Sequence, residues 1–95
     1  MFTKDDNKNI KELIEAILLL RNYGEAKIFL RDLLTEYELI EFGNRWKVAR
    51  MLSQGVSYLE VEKKTGLSST TVARVSKWLN NGRGGYRFMI KRIQK

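Results

Sequence analysis

Cysteine, histidine and proline are all absent from the 95 residues of this chain. Without cysteine there is no disulfide and no thiolate metal site. Without histidine the commonest general acid–base is missing. A reducing, cytoplasmic location is compatible with that composition and is the expected one. The lack of proline suits helices throughout. No apolar run approaches the ~20 residues of a membrane span, since Ile17 to Leu20 sits inside a charged amphipathic segment. The opening residues MFTKDDNKN carry acids and no apolar core, unlike a signal peptide. Asp5, Asp6, Glu12, Glu15 and Glu41 stand apart from any nucleophile and base, and no glycine-rich loop follows a strand. No catalytic residue, metal or cofactor is therefore expected.

Positive charge is what the chain has in excess, and it is unevenly placed. The formal net charge is +7. Residues 1–43 hold six Lys/Arg against nine Asp/Glu, whereas residues 44–95 hold twelve against two. A basic half of this kind is the electrostatic footprint of a polyanion partner.

Within the basic half lies Ser57 to Asn80, SYLEVEKKTGLSSTTVARVSKWLN. Ser57 with Glu60 three residues on has the spacing of a capping box. Val61 points inward, Lys63 and Lys64 fall in the last turn, and Gly66 supplies a left-handed turn. Leu67 closes the turn, and Ser68 or Ser69 caps a second helix. Its apolar stripe is Val72, Val75 and Leu79, with Thr70, Ala73, Arg74 and Lys77 off the stripe. The pattern predicts a helix-turn-helix whose second helix enters a major groove. Thr65 and Glu62 depart from it, standing where aliphatic and small residues are usual.

The remaining segments read as helices around this unit. Residues 1–9 are expected to fray, with Asn7 or Asn9 capping a first helix that runs through Asn22 and presents Ile10, Leu13, Ile14, Ile17 and Leu18. Leu19 and Leu20 widen that stripe, as in a helix packed centrally or on a partner. A second helix covers Glu25 to Leu34, with Ala26, Phe29, Leu30 and Leu33 inward. Thr35 and Glu38 form a capping box for a third, which continues to Ser53 or Gln54 and is closed by Gly55. Leu39, Phe42, Trp46, Ala49 and Leu52 mark its inward side; Arg45, Lys47 and Arg50 point outward. Gly43 inside that helix suggests a close crossing or a ligand against the backbone. Gly82 to Gly85 reads as a hinge. Tyr86 to Lys95 reads as a short basic helix with Tyr86, Met89, Ile90 and Ile93 inward. The expected organisation is one domain over residues 1–95: a helical platform at 10–55, the helix-turn-helix at 57–80, and a hinge with a basic helix at 82–95.

Through LTEYELIEFGNRWKVARMLSQGVSYLEVEKKTGLSSTTVARVSKWLNNGRGGY the chain resembles the Trp repressor family in its YerC/YecD-like branch. The tracts most like that branch are RWKVARMLSQGVSY, KKTGLSSTTVARV and GRGGY, and the likeness covers about residues 10–90. It implies an all-α fold of about six helices in an intertwined homodimer. The two recognition helices would meet successive major grooves about 34–36 Å apart. Tryptophan-binding members of the family hold their corepressor between two arginines, and Arg45 and Arg74 match them. With Gly43 and Val75, these residues outline a possible effector pocket. Val75 stands where those members carry glycine, and a branched side chain there would crowd an indole, so tryptophan corepression is not expected. Glu62 replaces a basic residue that contacts DNA in corepressor-dependent members, so their operator does not carry over.

The function expected is a sequence-specific, DNA-binding transcriptional regulator acting on double-stranded DNA, with no membrane partner. Ser69, Thr70 and Ala73 would face base edges, while Ser57, Tyr58, Thr71, Arg74 and Lys77 would hold phosphates beside the capping Ser68. Tyr58 serves equally well as a packing residue. The alternative is a protein- or RNA-interaction module on a helix-turn-helix scaffold, for which a solvent-facing Trp78 would argue. Both tryptophans are expected to pack.

Overall fold

The computed structural model describes residues 1–94; Lys95, counted above with the basic helix, lies outside the described residues. Six α-helices follow one another: α1 (Lys4–Leu18), α2 (Tyr23–Leu33), α3 (Glu36–Ser53), α4 (Tyr58–Thr65), α5 (Ser69–Asn81) and α6 (Gly85–Ile93). The chain divides into two compact units, Met1–Leu39 and the remainder from Ile40, with α3 running from one into the other.

In the first unit the N-terminus is better ordered than its polarity suggests. Thr3 caps α1, and Thr3 and Asp6 exchange reciprocal hydrogen bonds of 2.9 and 3.0 Å. This capping box starts the helix at Lys4, ahead of Asn7 and Asn9, because two free N–H groups are satisfied at once. The helix ends at Leu18, short of Asn22, which instead caps α2 through Glu25 N at 2.9 Å. Thr35 and Glu38 form the box expected at the start of α3, at 2.9 and 3.1 Å. Neither α1 nor α2 buries a residue. Leu18 and Leu19 are each 76% exposed and Ile28 is 68% exposed.

The second unit holds the core. Val48 and Ala49 of α3, Val61 of α4, Val72, Val75 and Leu79 of α5 and Ile90 of α6 are buried together. The expected inward side of α3 holds at Trp46, Ala49 and Leu52 and differs at two points: Val48 is central, while Phe42 is exposed. Arg50 is half-buried rather than outward, its guanidinium 5.7 Å from the Trp46 ring and its Nε without a hydrogen bond. On α6, Tyr86 and Ile90 face the core but Met89 and Ile93 are exposed. Gly55, at φ 86°, closes α3 as expected: its N–H reaches Leu52 O at 3.0 Å and Val56 N reaches Met51 O at 3.1 Å. That is the paired bonding of a Schellman turn.

Candidate nucleic-acid interface

The helix-turn-helix forms where the sequence places it. Ser57 caps α4, accepting from Glu60 N at 3.2 Å. The Glu60 carboxylate lies 3.9 Å from Lys64 Nζ. Gly66 takes the left-handed conformation at φ 72°, which costs a side-chain-bearing residue. The departure at Thr65 has a local reason. Its hydroxyl donates to Val61 O at 2.7 Å and accepts from Leu67 N at 3.2 Å, so it ties the helix end to the turn. Ser68, rather than Ser69, caps α5 by accepting from Thr71 N at 3.2 Å. Its hydroxyl also lies 3.0 Å from that of Thr71.

Beyond the cap, Ser69, Thr70, Ala73, Arg74 and Lys77 are all exposed along α5, and Thr71 is half-buried. The first turn of α5 contains no acid, unlike those of α1 to α4. Its positive dipole end is therefore not offset by a side chain. Among the described residues, Arg74 and Lys77 take part in no ion pair.

Tyr58 is half-exposed, yet its hydroxyl donates to Ser76 Oγ on α5. Ser76 is buried and also accepts from Asn80 Nδ2 at 3.3 Å. Sequence reasoning missed this junction, because a lone serine among polar residues gives no sign of facing inward. It missed Arg87 as well. The Arg87 Nε donates to Leu79 O at 2.9 Å and Nη2 lies 3.4 Å from Asn80 Oδ1, so α6 satisfies a carbonyl at the end of α5.

The residues of the possible effector pocket are placed differently. Val75 is in the core, at 1% exposure. Arg45 is already engaged: its Nη2 meets Glu41 Oε2 at 2.6 Å, and its guanidinium lies 5.2 Å from the Phe42 ring and 5.4 Å from the Trp78 ring. Among the described residues a Cβ on Gly43 would meet nothing within 4 Å, so they make no close crossing there. An open hollow of about 710 Å³ borders Trp78, the ring that Arg45 contacts, and is lined by Trp46, Trp78, Gly82, Arg83, Gly85, Tyr86 and Met89. The break before α6 is a shaped turn. A Cβ on Gly82 would overlap the Trp78 carbonyl, and Gly84 sits at φ 87°. Trp46 packs on the core as expected, whereas Trp78 is 39% exposed and belongs to the surface.

Tyr86 stacks on Trp46 with centroids 6.3 Å apart. Desolvation by burial raises its pKa above the ordinary 10.0, against a smaller lowering by Arg45. The raised value favours the protonated phenol in the fold, so its contribution to stability is present below pH 10.0 and is lost as pH rises through the folded pKa. Phenolate absorbance is expected to show a late-titrating phase for Tyr86, which Tyr86→Phe should remove.

These elements define an all-α protein built around a helix-turn-helix. The Trp repressor protein family model matches residues 8–94, and the chain belongs to that family. It is 35% identical over 88 residues to the YerC protein of Bacillus subtilis strain 168, across 93% of this chain and 85% of that one, which places it in the YerC-like branch. The crystal structure of a TrpR-like protein from Eubacterium eligens superposes with a TM-score of 0.87 at 36% identity, covering 92% of this chain and 90% of that one. A Staphylococcus aureus structure gives a TM-score of 0.86 at 34% identity, covering 92% and 87%. The family is one of DNA-binding regulators rather than enzymes. Among the described residues no helix is long and apolar enough to cross a membrane.

Proposed function

We propose that the protein is a sequence-specific transcriptional regulator that binds double-stranded DNA as a homodimer, in the cytoplasm and without tryptophan as corepressor. The observation that carries this is the outer face of α5. Ser69, Thr70, Ala73, Arg74 and Lys77 are all exposed on a helix whose opposite side is locked into the core. Small residues near the helix N-terminus suit methyl, hydroxyl and water-bridged base contacts. Arg74 and Lys77 suit phosphates, as do the Ser57 hydroxyl and the Ser68–Thr71 pair at the helix starts. The Tyr58 hydroxyl is spent on Ser76, which favours the packing role for that residue.

Two amphipathic helices without a buried residue support the dimer. An isolated helix as short as α1 is marginal in water, and a second copy would cover Leu18, Leu19 and Ile28. Independence from tryptophan is supported by Val75 filling the core and by Arg45 being held by Glu41, Phe42 and Trp78. One observation favours the second reading, an interaction module for protein or RNA: Trp78 is exposed on the flank of α5.

Titration of the purified protein with genomic DNA fragments at two salt concentrations, with and without L-tryptophan, separates the two. The expected result is a subset of fragments bound far more tightly than the rest, with a steep salt dependence and no effect of tryptophan. Uniform, weak binding to every fragment would transfer the lead to the interaction module.

A further inference from the structure

Viewed down its axis at about 100° per residue, α5 has two sectors separated by two borders. Val72, Val75 and Leu79 occupy an arc of roughly 60° in the core. Ser69, Ala73, Lys77, Thr70 and Arg74 spread over roughly 140° on the exposed side. Between the sectors, one residue on each border is held from a different helix. On one border Ser76 accepts the Tyr58 hydroxyl of α4. On the other, the Trp78 ring lies 5.4 Å from the Arg45 guanidinium of α3. Arg45 is itself fixed by Glu41 at 2.6 Å and by the Phe42 ring at 5.2 Å.

We propose that the Tyr58–Ser76 hydrogen bond and the Arg45–Trp78 cation–π contact act as opposed tethers that set the rotation of α5 about its own axis. Tyr58 and Arg45 are then specificity-determining positioning residues for DNA. This deepens the DNA-binding reading and rests on it. Three aliphatic contacts resist sliding and lifting of a helix, but they are non-directional and tolerate a small roll. A directed hydrogen bond and a ring–cation contact on opposite borders do not. A roll of about 20° moves an atom at the helix surface by about 2 Å, given a helix of ~10–12 Å diameter. That breaks a base-edge hydrogen bond, whose useful range is only a few tenths of an ångström. Long arginine and lysine arms follow a phosphate through the same displacement. Loss of a tether therefore erodes discrimination between sequences before it erodes general affinity.

The test compares wild type, Tyr58→Phe, Arg45→Met and the double variant on the fragment preferred by wild type and on random DNA of equal length. Each single variant is expected to lower the ratio of the two affinities about tenfold, with the random-DNA affinity and its salt slope unchanged. An unchanged ratio in the double variant overturns the proposal. So does an equal fall in both affinities, which would mean a direct phosphate contact or simple loss of fold. Should wild type prefer no fragment, the DNA-binding reading is what fails. Amide exchange along α5 then decides the tethers: faster exchange in the double variant sustains them as positioning contacts, and wild-type exchange removes them.

Discussion

Replacing Val48 with Asp is expected to abolish the cooperative thermal transition of the second unit. Val48 is 0% exposed and sits among Val61, Val72, Val75 and Leu79, with no cation in that cluster to pair a carboxylate. An unpaired buried charge costs several kcal/mol, commonly ~3–5 kcal/mol when a buried pair loses one member. Whole domains are stable by only ~5–15 kcal/mol. A unit of this size, with a core built largely of valines, sits at the lower end of that range. The neighbouring Lys47→Asp is the control. Lys47 is exposed, and surface changes of that kind fall within about 0.5 kcal/mol. Circular dichroism melts of the two variants should differ sharply, one retaining a cooperative transition and the other showing none. Comparable melts would mean that Val48 is not at the centre of the core.

Replacing Arg74 with Ala is expected to have the largest effect on DNA binding while leaving the fold intact. Its side chain is exposed and takes part in no ion pair among the described residues, so its removal leaves nothing buried and unsatisfied. Removing a single phosphate-binding cation lowers the salt slope by about one. In a homodimer the substitution removes one arginine from each copy, so the slope should fall by about two. A charge-assisted hydrogen bond contributes roughly 1.5–3 kcal/mol, so its removal from both copies predicts at least a 100-fold weaker affinity. The weakening should be similar on preferred and random DNA, because phosphate binding carries no sequence information. That pattern is the opposite of the one expected for the tether variants, which lose discrimination at constant salt slope. Wild-type affinity and slope in Arg74→Ala would remove Arg74 from the interface.

Charge makes these contrasts informative. The basic half of the chain contains the helix-turn-helix, so a measure of general affinity for a polyanion is expected of any variant there that keeps its cations. Under the proposed function discrimination has to come from geometry, and α5 is held by three neighbours: α4 through Tyr58, α3 through Arg45, and α6 through Arg87 at its C-terminal carbonyl. The turn glycines serve the same end. Gly82 is required where the chain passes the Trp78 carbonyl, and Gly84 supplies the left-handed residue before α6.

By itself the sequence determined the features that depend on neighbours a few residues away. Ser57, Gly66 and Ser68 specify two helices and the turn between them, since capping and left-handed geometry are decided within one turn of chain. The Thr35–Glu38 box, the Gly55 closure and the stripe Val72, Val75 and Leu79 were legible for the same reason, and the exposed residues of α5 followed from the stripe. The Thr3–Asp6 box was equally local but was obscured by the polar composition around it.

Only the tertiary structure decided where the inward side of α3 is centred. In a helix with apolar residues on several sides, periodicity does not choose between Phe42 and Val48; packing against α4 and α5 does. It also decided that Ser76 is buried and Trp78 exposed, reversing what hydropathy alone would assign, because the tyrosine and arginine that hold them come from distant positions in the chain. The same physics decides how the effector-pocket residues are engaged. Arg45 and Val75 were recognisable by position, but their engagement by Glu41, Phe42 and Trp78 and by the core depends on packing that no local spacing encodes.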